Sequence, residues 1–178
     1  MNVILIGYRC TGKSSVGRKL SERLGVPFYD TDDLIEKSAG KSIRQMVAEN
    51  GWTFFRERER ETIGRLAAVR GGVIATGGGA VLDGENRRML KEAGACVWLS
   101  ADAATILRRM KADAVSGAQR PPLSDKDLQC EVTQGLGERE PLYRELADLS
   151  VDTADRSPAE IVEVICRFLK EETCREIP

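Results

Sequence analysis

Short apolar runs alternate with longer stretches of helical periodicity along this 178-residue chain. Five apolar runs predict β-strands, at residues 3–6, 27–29, 73–75, 95–99 and 149–151. The first, third and fourth are almost continuously apolar, which is typical of parallel strands covered on both faces. The intervening periodicity predicts helices over roughly 13–24, 32–39, 43–50, 53–69, 85–92, 103–111, 125–143 and 158–172. This alternation indicates right-handed crossovers and a doubly wound, parallel α/β sheet.

The sequence shows no internal repeat and no linker rich in Ser, Pro or Gly, so we expect one domain over residues 1–178. Two helix starts carry capping boxes, Ser42 with Gln45 and Ser157 with Glu160. The segment at about 112–124 is weakly periodic and contains a pair of prolines. A long unpatterned loop in a compact domain is often a mobile cover over an active site, so this segment is our candidate lid.

The composition excludes several kinds of chemistry. The chain contains 27 Lys+Arg, 28 Asp+Glu and no histidine. Without an imidazole there is no Ser-His-Asp or Cys-His nucleophile, no H-E-x-x-H zinc site and no histidine general base. A net charge of −1 gives no basic footprint, so we expect no nucleic-acid partner. The chemistry must come from carboxylates, Lys, Arg, hydroxyls, thiols and backbone amides.

The cysteines and the apolar runs predict a cytoplasmic protein without a membrane partner. The five cysteines are odd in number and scattered, without a C-x-x-C pair, which argues against a disulfide framework or a zinc ribbon. No run approaches the ~18 apolar residues that a membrane span needs. The start of the chain does not resemble a signal peptide, since its apolar stretch is short and lacks a basic flank.

The most specific motif follows the first predicted strand directly. Residues 7–14 read Gly-Tyr-Arg-Cys-Thr-Gly-Lys-Ser and match G-x-x-x-x-G-K-[ST] between a strand and a helix. The glycines let backbone amides point inward, and the helix beginning near Lys13 adds the positive end of its dipole. Lys13 would reach the β- and γ-phosphates, and the Ser14 hydroxyl would coordinate Mg²⁺. The motif predicts binding of ATP or GTP.

Four further groups of residues follow the later predicted elements. Their members are Asp30 and Asp32 after the second strand, Gly77, Gly78 and Gly79 after the third, the alternating charges of residues 55–61, and the arginines Arg120 and Arg139 beside prolines. Ligands bind beyond the carboxyl ends of parallel strands, so the carboxylates and glycines can meet the phosphate loop there. Each group also has a simpler interpretation: a helix cap, a tight turn, or a solvated helix face with i,i+3 ion pairs.

Taken in order, these groups resemble the shikimate kinase family. The resemblance covers residues 1 to about 169 and rests on the phosphate loop, Asp30-Thr31-Asp32, Phe55-Arg56 with Glu59, Gly77-Gly78-Gly79, Arg120-Pro121, Arg139 before Pro141-Leu142-Tyr143, and Val151-Asp152-Thr153. It implies a three-layer P-loop NTPase fold, with a five-stranded parallel sheet, helices on both faces and a lid. It also implies transfer of the γ-phosphoryl of ATP to the 3-hydroxyl of shikimate, by a monomer.

The resemblance further implies a role for individual positions. The catalytic residues would be Lys13, Asp32 as general base, and Arg120 on the lid. The ATP site would comprise Cys10, Thr11, Gly12, Lys13, Ser14, Ser15, Arg109, Arg120, Arg156 and Pro158. Shikimate, within a region at about 32–60 and beyond, would meet Asp32, Arg56, Gly77, Gly78, Gly79 and Arg139, with the two arginines on its carboxylate. Mg²⁺ would lie at Ser14 and, through water, Asp30.

One residue departs from the family pattern, and two alternatives remain open. Cys10 stands where the family commonly has a further glycine, so a positive φ there would strain it. Another small-molecule P-loop kinase, for gluconate or a nucleoside monophosphate, shares the fold, since fold does not fix substrate. A module that senses shikimate-like ligands without turnover is the third possibility, although every catalytic group is present. On the leading interpretation, near-zero net charge conceals a cationic pocket built from Lys13, Arg56, Arg120 and Arg139.

Overall fold

Within residues 1–112 and 128–175, which the computed structural model describes (side chains up to residue 172), five parallel strands form one sheet. The strands are β1 (Asn2–Ile6), β2 (Phe28–Asp30), β3 (Val73–Ala75), β4 (Gly94–Ser100) and β5 (Leu149–Asp152). They lie in the order β2-β3-β1-β4-β5, so β1 is central. Ile4 of β1 pairs with Ile74 on one side and Cys96 on the other. The predicted parallel α/β sheet is confirmed.

The helices lie where the periodicity predicts them. They are α1 (Lys13–Leu24), α2 (Thr31–Ala39), α3 (Ile43–Ala67), α4 (Gly84–Ala93), α5 (Ala103–Ala112), α6 (Leu128–Leu146) and α7 (Pro158–Arg175), with a short 3₁₀ helix at Ala80–Leu82. The two helices predicted over 43–50 and 53–69 are the halves of α3, which is interrupted at Gly51 (φ 82°). Both capping boxes are confirmed. The predicted start of α6 at residue 125 lies outside the described residues.

Alternating residues of β1 divide the core between the two faces of the sheet. Ile4 and Ile6 pack into a cluster with side chains of α3, α4 and α6. Val3 and Leu5 point the other way and pack with side chains of α1 and α7. The sheet is therefore the middle of three layers with helices on both faces, as the resemblance implies.

This architecture places the loops after β1, β2, β3 and β4 along one edge of the sheet, where ligands of such folds bind. Among residues 1–112 and 128–175, no helix combines the length and apolar character needed to cross a bilayer. The candidate lid at about 112–124, including Arg120, lies outside the described residues apart from Ala112. The division of 1–178 as one domain stays a prediction.

Candidate active site

The phosphate-binding loop joins β1 to α1. Gly7 has a φ of 143°, and a side chain on it would collide with the Leu99 carbonyl of β4. Gly12 has a φ of 92° and precedes the first residue of α1. The Thr11 hydroxyl donates to the Tyr8 carbonyl at 2.8 Å and closes the loop. The backbone at both ends of the cradle therefore requires glycine, since only glycine adopts these conformations easily.

Lys13 lies across the inside of this loop. Its Nζ donates to the Gly7 carbonyl at 2.8 Å and to the Tyr8 carbonyl at 2.7 Å, and the residue is buried. Loop carbonyls thus hold the ammonium group beside the start of α1. A charge in this position can move to phosphate oxygens with little rearrangement of the backbone.

Cys10 completes the loop in a strained conformation. Its φ is 60°, and no other non-glycine residue among those described has a positive φ. Its carbonyl accepts a hydrogen bond from Arg109 of α5 at 3.3 Å. The departure from glycine at this position therefore does carry the backbone strain that a positive φ implies.

Carboxylates from the end of β2 adjoin the loop. The Ser14 hydroxyl donates to Asp30 Oδ2 at 2.6 Å, and Asp30 Oδ1 accepts from the Asp32 amide at 3.1 Å. Asp30 is thus both the N-cap of α2 and the partner of the loop serine, so the capping interpretation and the site interpretation apply to the same residue. Asp32 lies in the first turn of α2, close in sequence to this contact.

The same pair meets the requirements of a magnesium site. Mg²⁺ prefers oxygen ligands, retains several waters, and takes one or two protein groups together with substrate phosphates. Ser14 and Asp30 supply a hydroxyl and a carboxylate within hydrogen-bond distance of each other beside the cradle. The described residues contain no cluster of three or more His, Cys, Asp or Glu side chains able to hold a metal without substrate.

Arg56 and Glu59 lie at the first part of the predicted acid-binding side. Arg56 Nη1 donates to Glu59 Oε2 at 2.5 Å, and the guanidinium lies so close to Gly79 that a side chain there would collide with it. Glu59 is completely buried, and this burial raises the pKa of its carboxyl while Arg56 opposes the rise. The i,i+3 pairs expected in this charged run exist, but a solvated face is wrong for Glu59, which points into the protein.

Arg139 and Tyr143 of α6 form the second part. Arg139 Nη1 donates to the Gly78 carbonyl at 3.5 Å, and the Tyr143 hydroxyl donates to the same carbonyl at 2.5 Å. Gly77 differs from its neighbours, because its amide donates to the Thr31 hydroxyl at 2.9 Å and holds β3 to α2. The glycine run therefore places Arg56 and Arg139 next to consecutive residues.

The predicted adenine side brings α5 next to the loop after β5. Arg109 donates to the Thr153 hydroxyl at 2.9 Å and also to the Thr153 carbonyl. Arg156 donates to the Asp152 carbonyl at 2.9 Å and is exposed, and Pro158 begins α7. Ser15 lies exposed in the first turn of α1. Arg109 is therefore already fixed by the protein, at a point shared by the phosphate loop and Thr153.

Three residues to which sequence reasoning gave no role lie in the middle of this arrangement. Arg9 forms an ion pair with the buried Glu131 of α6, and Tyr8 is buried beside them. The signal that could have found Glu131 is its place on the same helix face as Arg139 and Tyr143, which follow it after eight and twelve residues, multiples of a four-residue spacing.

A phosphate-binding loop at the end of β1, a serine–aspartate pair beside it and two arginines across Gly78 and Gly79 define a P-loop phosphotransferase for a small anionic acceptor. A sequence model described as shikimate kinase matches residues 9–170. The chain belongs to the shikimate kinase family.

Individual relatives agree with this assignment. The shikimate kinase of Syntrophus aciditrophicus is 51% identical over 174 residues, covering 93% of this chain and 89% of that protein. Among solved structures, shikimate kinase from Acinetobacter baumannii in complex with shikimate superposes with a TM-score of 0.90 at 31% identity, covering 99% of this chain and 95% of that one. Shikimate kinase from Aquifex aeolicus gives a TM-score of 0.82 at 34% identity, with 97% and 98% covered.

Proposed function

We propose that this chain transfers the γ-phosphoryl group of ATP to the 3-hydroxyl of shikimate, giving shikimate 3-phosphate and ADP on the route to aromatic amino acids. The observation that best supports it is the position of Gly78. A Cβ on Gly78 would lie 3.1 Å from the Arg9 amide of the phosphate loop. The Gly78 carbonyl accepts hydrogen bonds from Arg139 and Tyr143. The phosphate cradle and the acid-binding side therefore adjoin at one glycine.

In the proposed reaction the protein positions the two substrates and stabilises the charge on the transferring phosphoryl group. Lys13 exchanges its contacts with loop carbonyls for contacts with the β- and γ-phosphates. Arg56 and Arg139 bind the carboxylate of shikimate, for which a planar guanidinium is suited. Asp32 accepts the proton of the 3-hydroxyl as the hydroxyl oxygen bonds to the γ-phosphorus and ADP leaves. Such transfers need little covalent chemistry from the protein.

The remaining assignments complete the nucleotide side. Ser14 and Asp30, the latter through water, would hold Mg²⁺, which supplies neutralisation of the phosphate charge when bound. Arg120 of the candidate lid would stabilise the transferring phosphoryl group, although it lies outside the described residues. Arg109, Arg156 and Pro158 would flank the adenine. Because Arg109 is held by Thr153 and Cys10, its plane is fixed before the nucleotide arrives.

We also propose that the protein works as a cytoplasmic monomer. The scattered cysteines support a reducing compartment, and the Cys96 thiol is buried, which raises its pKa to about 12 and makes it unreactive. Size-exclusion chromatography with light scattering tests the oligomeric state, for which a mass near 19.6 kDa is expected.

A substrate panel tests the reaction. Purified protein, ATP and Mg²⁺ are assayed for ADP release with shikimate, gluconate and a nucleoside monophosphate as acceptors. Shikimate is expected to give turnover and the others none above background. Turnover of gluconate without turnover of shikimate would overturn the proposed substrate. Binding of shikimate without ADP release would favour the sensing module.

A further inference from the structure

The buried face of α6 docks on the phosphate-binding loop. Its members recur every four residues and therefore face the same way: Glu131, Gly135, Arg139 and Tyr143. Glu131 pairs with Arg9 of the loop. Gly135 packs on Tyr8 so tightly that a Cβ would lie 2.7 Å from the tyrosine oxygen. The helix that carries the acid-binding arginine is thus seated on two consecutive residues of the nucleotide loop.

The ring of Tyr8 lies near two guanidinium groups, that of Arg9 at 5.7 Å and that of Arg139 at 5.1 Å from its centre. The Arg139 guanidinium is thus within the range of a cation–π interaction. Arg139 is only 7% exposed, and among the described residues no carboxylate lies within ion-pairing distance of it. Its contacts there are the Tyr8 ring and, at 3.5 Å, the Gly78 carbonyl. Such a cation attracts the ring more strongly because it is desolvated.

The hydroxyl group of Tyr8 does not explain the presence of this residue. Its oxygen is buried, and no hydrogen bond of ordinary geometry reaches it among the described residues, although the Arg9 guanidinium adjoins it. Burial raises the pKa of Tyr8, while the neighbouring Arg9 and Arg139 oppose the rise, so the side chain stays a neutral phenol. The aromatic face is therefore the part of Tyr8 that contributes to the site.

We propose that Tyr8, although part of the phosphate-binding loop, is a positioning residue for the acid: its ring holds the Arg139 guanidinium in place, and the Arg9–Glu131 pair fixes the helix that carries Arg139. This inference rests on the proposed function, since shikimate is there the acid that Arg139 binds. It follows that a substitution at Tyr8 should change the affinity for the acid rather than the affinity for ATP.

Substitution of the ring separates this role from a general one in the loop. Tyr8→Phe keeps the ring, and its KM values for shikimate and ATP are expected to match those of the wild type. Tyr8→Leu removes the ring, and its KM for shikimate is expected to rise about tenfold, with kcat and the KM for ATP little changed. Equal rises in both KM values, or no rise for shikimate in a folded Tyr8→Leu protein, would overturn the proposal.

Phe28→Leu is the matched control. The Phe28 ring lies 5.0 Å from the Arg18 guanidinium, so the control removes a cation–π pair of the same kind on the other side of the sheet. Its KM for shikimate is expected to stay at the wild-type value. A rise equal to that of Tyr8→Leu would show that the effect is not specific to Tyr8.

Two further variants decide the question even where Tyr8→Leu does not fold. Fluorinated phenylalanines at position 8 weaken the ring quadrupole with almost no change in size, so the Kd of shikimate is expected to rise with each added fluorine. Gly135→Ala is expected to displace the ring and raise the same Kd, and Tyr8→Phe in that background to restore part of the affinity. A flat fluorine series contradicts the proposal. Failure of the wild-type protein to bind shikimate would instead contradict the proposed function.

Discussion

The strained backbone at Cys10 predicts that Cys10→Gly stabilises the folded protein, by an amount that follows from the cost of a positive φ. With a φ of 60°, a Cβ crowds the following carbonyl oxygen, which costs about 1–2 kcal/mol. Glycine removes this strain but adds freedom to the unfolded chain, which opposes the gain by about 0.4–1 kcal/mol. We therefore expect Cys10→Gly to raise the free energy of unfolding by about 0.5–1 kcal/mol.

Calorimetric thermal unfolding measures this change. In a chain of this length 1 kcal/mol shifts Tm by about 2–4 °C, so Cys10→Gly should raise Tm by about 1–4 °C. Cys10→Ala is the matched control, because it removes the thiol and keeps the Cβ that causes the strain. Its Tm should not rise.

Nucleotide binding provides a second measurement on the same variants. The bond from Arg109 to the carbonyl of residue 10 involves only backbone there and is retained in both variants. The glycine variant should therefore bind a non-hydrolysable ATP analogue at least as tightly as the wild type. If the glycine and alanine variants unfold at the same temperature, the positive φ carries no cost and the reasoning is refuted.

Three further variants test the remaining parts of the site. Lys13→Ala should lower kcat about a hundredfold or more, as loss of a charge-stabilising donor does, and near-native kcat in the ADP-release assay would remove Lys13 from the mechanism. Arg139→Ala should raise the KM for shikimate about tenfold to a hundredfold while ATP binding stays normal; collapse of ATP binding would contradict its role. Glu59→Gln should raise the KM for shikimate by loosening Arg56. Because burial raises the pKa of Glu59, the folded state gains stability from the protonated carboxyl at low pH and loses it as pH rises through the raised pKa. The glutamine variant should therefore gain stability relative to the wild type from pH 4 to pH 8 in denaturant titrations, and a constant difference would contradict the shift.

The fold could be predicted because each strand and helix has a recognisable pattern in its own stretch of sequence. Continuous apolar runs indicate strands covered on both faces, and β1 and β4 are such runs with helices on each side. The 3₁₀ helix at Ala80–Leu82 was not predicted, since three residues give no periodicity. Gly51 separates two helical patterns in the sequence, but in the structure the helix resumes after a single non-helical residue.

The site was predictable where a motif is contiguous and not where it depends on distant packing. Residues 7–14 fix the phosphate cradle by themselves. The Arg9–Glu131 pair joins positions 122 apart; the helix-face spacing could mark Glu131 as buried, but nothing in the sequence pairs it with Arg9. The alternating charges of residues 55–61 left two interpretations open, a solvated face or part of the site. In the structure the Glu59 side chain is buried and pairs with Arg56, which only the packing of the helix decides.

The balance of 27 basic and 28 acidic residues describes the surface better than the site. At the surface, charges cancel locally, as in the exposed pair of Arg88 with Glu85. At the acid-binding side the balance is uneven, because Glu59 pairs with Arg56 while no described carboxylate pairs with Arg139. An aromatic face and a carbonyl contact that guanidinium, and the nearby Glu59 carboxylate acts on it without forming an ion pair with it. On the proposed function, the carboxylate of shikimate would supply negative charge here, and the affinity of the acid should depend on this buried cation rather than on the net charge of the chain.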